Sequence, residues 1–425
     1  MKLLKTCIIL ILLSSCKQGN QMITNPEDYA VYLHTEQPKT TSKYFELWNS
    51  KIRSDSTQLL SFANVAGEYN RYFKTTGNID FLKKAEKALT KAVEIANIGK
   101  ESYARALARN YISQHRFKEA LNMANLAAHV GGGKKETQAL FFDVHMELGN
   151  YQLAEKYLDS LKNMADFGYL IRNAKWNDYQ GNLNTTIRFM EMALERAESS
   201  KSRNLKLWSY TNLGDYYGHA GRLDDSYNCY LKALELDPGN AYAKKGIAWI
   251  VFSHERNGME ALHILDAITE QYSSPDYDLL KAEIAEFMGD TKAMITHKAN
   301  YNVLVQKPGY GTMYNVHNVD YYIENAKYDS AVELAHQEIE NRPTPESYSL
   351  LAKTYLKMGE NKKALNLVEN KIIGRTYEPE VLLNVAQVYR ANKQYEKVNA
   401  LKNELQEAVY ELGPLSLEKI KHGSC

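Results

Sequence analysis

The residues of this chain that are able to do chemistry are few and dispersed. Gly131-Gly132-Gly133, followed by Lys134 and Lys135, is the stretch nearest to a phosphate cradle, since glycine amides and an ammonium group can surround an anion. A phosphate loop of the form G-x4-G-K-[ST] needs glycine where Ala128 stands and a hydroxyl where Lys135 stands, and it must follow a strand. The run therefore reads as a turn. His254 and His263 have Glu255 beside them, but nine residues apart they are expected on different helices, and no H-E-x-x-H arrangement occurs. There is no G-x-S-x-G nucleophile turn and no C-x2-C pair. We expect no metal, no cofactor and no enzymatic activity. Arg105 and Arg109 are four apart and share one helix face. That geometry can grip a carboxylate or another anion, or present two solvated cations.

The elements that must position these groups are helices. Tyr210, Leu213, Gly214 and Tyr217 fall on one face of a helix that Gly221 stops. Ser226, Tyr230, Ala233 and Leu234 form the inner face of a second helix, closed by Asp237-Pro238. Small residues at 214, 226 and 233 suit helices that approach to about 8–10 Å. The pattern returns along the chain. Leu107-Ala108 and Tyr111 are followed by Phe141-Phe142 and His145, and Leu351-Ala352 and Tyr355 by Val385-Ala386 and Tyr389, each at an interval of 34 residues. Weaker copies begin near Ala66, Ala174, Ala248, Ala282 and Tyr322. The spacing lengthens near 198–204 and 305–312, where longer loops are expected.

The unit Tyr210-x2-Leu213-Gly214-x2-Tyr217, Ser226-x3-Tyr230, Pro238 resembles the tetratricopeptide repeat, with Tyr for Trp, Ser for Ala and Tyr for Phe. The resemblance implies an all-α, right-handed superhelical solenoid of about ten helix-turn-helix repeats, because no single repeat can bury its apolar face alone. It also implies that the first helix of each repeat lines a concave groove. The positions so implied are Arg105 and Arg109; Lys175, with Arg172 adjacent; Trp208; and Tyr242, Lys245 and Trp249. Trp208 and Trp249 are expected to form an apolar patch. The family's carboxylate clamp is matched only distantly, because Glu136 and Asp143 stand where its groove Asn and partner Lys belong. Tyrosines outnumber phenylalanines, 31 to 11. Most pack between helices, and those beside core positions, such as Tyr216 and Tyr321, suit a binding surface.

Lys2, Lys5 and the apolar run Cys7 to Leu13 have the form of a secretory signal over 1–15, too short to span a bilayer. Leu13-Ser14-Ser15-Cys16 resembles the bacterial lipobox, which implies a lipid anchor on Cys16. Residues 16–43 read as a flexible tether reaching on the order of 30 Å, with Tyr29 to Leu33 as the part able to pack. The solenoid follows over 44–410, and 411–425 is a cap or tail. With 52 Lys and Arg against 51 Asp and Glu, no basic stripe for nucleic acid is expected. A disulfide between Cys229 and Cys425 is not expected. The functional expectation is a non-catalytic scaffold at the bacterial cell envelope that binds a peptide or partner protein in its groove. A glycan-capture lipoprotein of the starch-utilisation type and an outer-membrane assembly subunit are the alternatives.

Overall fold

The computed structural model describes residues 22–53 and 57–421. The expected signal segment and Cys16 lie outside the described residues, as does Cys425. Every regular element among the described residues is helical. Ten consecutive helix pairs form the body. Unit 1 pairs Leu59–Thr76 with Ile79–Ile95, unit 2 Lys100–Ser113 with Phe117–Val130, and unit 3 Lys134–Glu147 with Tyr151–Ser160. Units 4 and 5 pair Phe167–Tyr179 with Leu183–Ser199 and Arg203–His219 with Leu223–Leu236. In unit 6, Ala241–Trp249 runs on through a wider π turn, Ile250–His254, before Gly258–Thr269. Pro275–Phe287 with Thr291–Val305 and Asn315–Glu324 with Tyr328–Asn341 make units 7 and 8. Unit 9 joins Pro345–Lys357 to Asn361–Leu367, again extended by a π turn, and unit 10 joins Pro379–Ala391 to Tyr395–Glu407. Below, A and B denote the first and second helix of a unit.

The stripes read from sequence are the ones that pack. Tyr210, Leu213, Gly214 and Tyr217 are buried on A of unit 5, and Ser226, Tyr230, Ala233 and Leu234 on its B. The extra residues near 198–204 lengthen both flanking helices to 17 residues rather than making a long loop. The loop near 305–312 is present, running from Val305 to Asn315. Between A and B the chain reverses through a left-handed residue. It is glycine at 149, 181, 221, 289 and 359, but His115, Ala326 and Lys393 adopt the same sign of φ in their units. A non-glycine residue there costs roughly 1–2 kcal/mol, against about 0.5–1 kcal/mol of chain entropy lost with glycine. Ala326→Gly is expected to raise the unfolding free energy by about 0.5–1 kcal/mol, read from denaturant unfolding.

The stack winds far enough that early and late units touch. Ser273, entering unit 7, donates its N–H to the carbonyl of Thr76 in unit 1 (2.7 Å). Gly77, at φ 66°, allows this approach, because a Cβ there would lie 2.6 Å from the Ser273 oxygen. The His115 carbonyl in unit 2 accepts from Thr312 (3.2 Å) and from Asn341 of unit 8 (3.0 Å). Tyr377, entering unit 10, lies over Gly181 of unit 4. These long-range contacts turn an open stack into a body with its A helices inside.

The described part of the expected tether differs from a free chain. Pro26–Leu33 is a helix with Tyr29 and Leu33 buried. Its lead-in amides at Ile23 and Thr24 donate to Glu255 (2.8 and 2.7 Å), and the Tyr29 hydroxyl donates to Glu260 (2.9 Å). Two apolar side chains and a set of charged acceptors offset the entropy of ordering this stretch. A second short helix, Lys43–Asn49, packs Phe45 against Tyr69 and Tyr72 of unit 1.

Candidate functional site

The inner cavities are lined largely by A helices, and the charged residues predicted for the groove are mostly engaged with neighbouring units. Arg105 is buried, donating to the Gly132 carbonyl (3.2 Å) and to the Thr137 hydroxyl (3.1 Å). It therefore fastens unit 2 to the glycine turn that opens unit 3, the run with the superficial look of a phosphate loop. The expected pair is thus split, since Arg109 stays exposed while Arg105 faces protein. Arg172 donates to the carbonyls of Ala139 (3.1 Å) and Gly168 (2.8 Å) and to Asp143 (2.6 Å). Lys175 pairs with Glu147 at 2.7 Å. Burial opposes charge on its ammonium, but Glu147 outweighs this and raises the Lys175 pKa. Asp143, one of the two acids that displace a clamp reading in sequence, is the one that neutralises Arg172.

The tryptophans do not meet. Trp208 stands edge-on to Phe167 (5.9 Å between ring centres) and Trp249 to Phe252 (5.7 Å). Trp249 also donates its indole N–H to the Tyr410 carbonyl (3.1 Å). The expected apolar patch gives way to a contact with the C-terminal segment, whose helix Val409–Lys421 is broken at Gly413 and Pro414. From sequence this segment reads as a cap or tail. The available signal was the small residues Gly218 and Ser253 on the inner face, which leave room for Tyr410.

An aromatic and acidic network lies beside it. Asp215 accepts from the hydroxyls of Tyr230 (2.6 Å) and Tyr242 (2.5 Å). Burial raises the Asp215 pKa, and these two bonds work against that rise. Lys245 pairs with Asp276 at 3.0 Å. That ion pair borders two cavities. One, of about 650 Å³, lies toward unit 1 and is lined by Tyr242, Tyr272 and Tyr277. The other, of about 750 Å³, is lined by Trp249, Tyr314, His317 and Tyr321. Burial lowers the His317 pKa, so this imidazole is neutral near pH 7. Of the predicted residues the structure therefore gathers Tyr242, Lys245 and Trp249 in one place, while Arg105, Arg109, Arg172 and Lys175 belong to units 2 to 4. Among the described residues no group of three or more His, Cys, Asp or Glu is placed to hold a metal ion. No described helix is long and apolar enough to cross a membrane. Cys229 is buried and free.

The helix pair of unit 5 decides the family. The tetratricopeptide repeat family model matches residues 208–240, and nine further pairs repeat that architecture. That helix pair is a tetratricopeptide repeat. No curated protein matches its sequence. Among solved structures, a tetratricopeptide repeat protein from Parabacteroides merdae is similar at 14% identity, over 60% of this chain and 95% of that one, with a TM-score of 0.39. A Rap protein complexed with competence and sporulation factor is similar at 14% identity, over 74% and 98%, with a TM-score of 0.43. Unit 5 is where the repeat pattern is most fully kept.

Proposed function

We propose that this tetratricopeptide repeat protein is a non-catalytic scaffold at the bacterial cell envelope, anchored by lipid on Cys16, that binds a peptide segment of a partner protein on its inner face. The observation that carries the reading is the pair of cavities on either side of Lys245 and Asp276. Tyrosines with a hydrophobic body and a polar tip line both, and such side chains favour protein interfaces. Affinity would come from these rings, and selectivity from the charges placed between them. Among the described residues the helix pairs follow one another without a large inserted domain.

The test is site-specific photocrosslinking in intact cells from positions 242 and 272, with 232 on B of unit 5 as an outer-face control. One or two abundant proteins captured from the inner positions and absent from the control are the expected result. Equal capture from inner and outer positions would remove the groove from the reading. Cys16→Ala is expected to shift the chain from the membrane fraction to the soluble one or to leave its signal uncut. Unchanged fractionation with normal processing would refute the anchor.

A further inference from the structure

The inner face of units 5 and 6 already holds a peptide segment, and it is the chain's own. The Tyr410 ring packs against Gly218, where any Cβ would stand 2.7 Å from it. Its carbonyl accepts from both Trp249 (3.1 Å) and Ser253 (2.5 Å), and Leu412 is buried behind it. Gly413 follows in a left-handed conformation with Trp249 and Glu283 so near that a side chain would strike them. This is a pocket for a tyrosine, a double anchor for its carbonyl and a narrow exit that needs glycine.

One residue of the segment does not suit its surroundings. Glu411 lines one cavity with Asp178, Glu378, Glu404 and Glu407, close to Glu380, and the cations of that cavity are committed elsewhere, Arg342 to Glu338. Lys175 is held by Glu147, and burial keeps His219, 3.6 Å away, neutral. Burial, then Asp178 and Glu380, push the Glu411 carboxyl up to about 7. Burial, then Glu411 itself, do the same to Glu378. A carboxylate is the charge this place disfavours.

We infer that the Gly218–Trp249–Ser253 pocket is the recognition site for a partner segment in which a tyrosine is followed by a basic residue, and that the chain's own Tyr410–Gly413 is a weaker occupant that such a segment displaces. This rests on the groove-binding reading above and names the chemistry of its ligand. A lysine or arginine after the tyrosine would meet Asp178, Glu378 and Glu380 with complementary charge, and charge complementarity at a buried position governs which segment is retained. The tail keeps the pocket closed until a better segment arrives.

Two measurements on the full chain test this. In the first, Tyr410→Ala removes the ring and weakens the hold of the tail on the pocket, and fluorescent peptides EAVYELGPLS, EAVYKLGPLS and EAVAKLGPLS are titrated by anisotropy at pH 7.5. The YK peptide is expected to bind at least about tenfold more tightly than the YE peptide, and the peptide lacking tyrosine is expected to lose that binding. No binding by a folded variant, equal affinity for YE and YK, or indifference to the tyrosine would overturn the inference. In the second, Glu411→Lys leaves the ring in place, and amide exchange of residues 409–413 is compared with that of the wild type. Protection should rise about tenfold, and a fall would overturn the inference. These outcomes are separate from the crosslinking result. Peptide failure with specific inner-face crosslinks removes only the tyrosine-basic motif, whereas peptide success without crosslinks removes the cellular role.

Discussion

Gly246→Val is expected to destabilise the protein by about 3 kcal/mol, although it replaces a helical glycine. Tyr230 projects from B of unit 5 and its ring lies between two glycines, one from its own unit and one from the next. A Cβ on Gly246 would stand 2.3 Å from the ring, and one on Gly214 would stand 2.8 Å from it. Tyr230 is buried and donates to Asp215 at 2.6 Å. Leaving glycine gains up to about 1 kcal/mol of helix propensity. Overpacking costs about 1–3 kcal/mol, and moving the ring gives up a hydrogen bond to a carboxylate, about 1.5–3 kcal/mol. The losses win. The decisive measurement is a double-mutant cycle with Tyr230→Ala. Alone, Tyr230→Ala is expected to cost about 3–5 kcal/mol. In that background Gly246→Val should cost less than about 1 kcal/mol, since the ring it strikes is gone. An equal penalty in both backgrounds would show that the two residues do not meet in this way.

Those glycines show what sequence made legible. Gly214 stands at the repeat position where a small residue is expected, and the Leu213, Tyr217, Ala233 stripe that surrounds it is periodic, so fold class, unit count and core were readable from spacing. Gly246 belongs to a unit without a full pattern, and its contact with Tyr230 depends on the angle between units, which periodicity does not encode. The same holds for the groove. Family position marks Tyr242, Lys245 and Trp249 as inward-facing, and these residues line the two cavities beside Asp276. It did not reveal that Arg105 turns to Gly132 and Thr137, because a side chain as long as arginine chooses among partners on a neighbouring unit. Contacts across the winding, such as Tyr410 on Gly218 or Ser273 on Thr76, join residues roughly 190–200 positions apart. Local pattern carries no information at that range, and only the flagged apolar residues at 29–33 hinted that the N-terminal stretch would pack.

Arg342→Met is the second large effect, again expected at about 3 kcal/mol, because one guanidinium serves three units. Its Nε donates to Glu338 at 2.6 Å, it lies 4.0 Å from Glu147 of unit 3, and it stands over the Phe117 ring of unit 2. Glu338 is only 1% exposed, and its other oxygen accepts from Asn315 at 2.9 Å. Methionine keeps most of the apolar stem and removes the charge. Glu338 is then left buried with a single neutral donor, and breaking a buried pair from one side costs about 3–5 kcal/mol. The partial exposure of Arg342, 19%, places the expected loss at the lower end. Glu147 is less affected, since Lys175 still reaches it at 2.7 Å. Much of the loss is therefore the stranded carboxylate at 338, and adding Glu338→Gln to Arg342→Met should recover about half of it. Denaturant midpoints of the single and double variants check the sign. A double variant less stable than Arg342→Met alone would mean that the loss lies in the contact with units 2 and 3 rather than in the unpaired carboxylate. In that case amide exchange would locate it, with protection falling at unit 3 and remaining in unit 8, the reverse of what a stranded Glu338 produces.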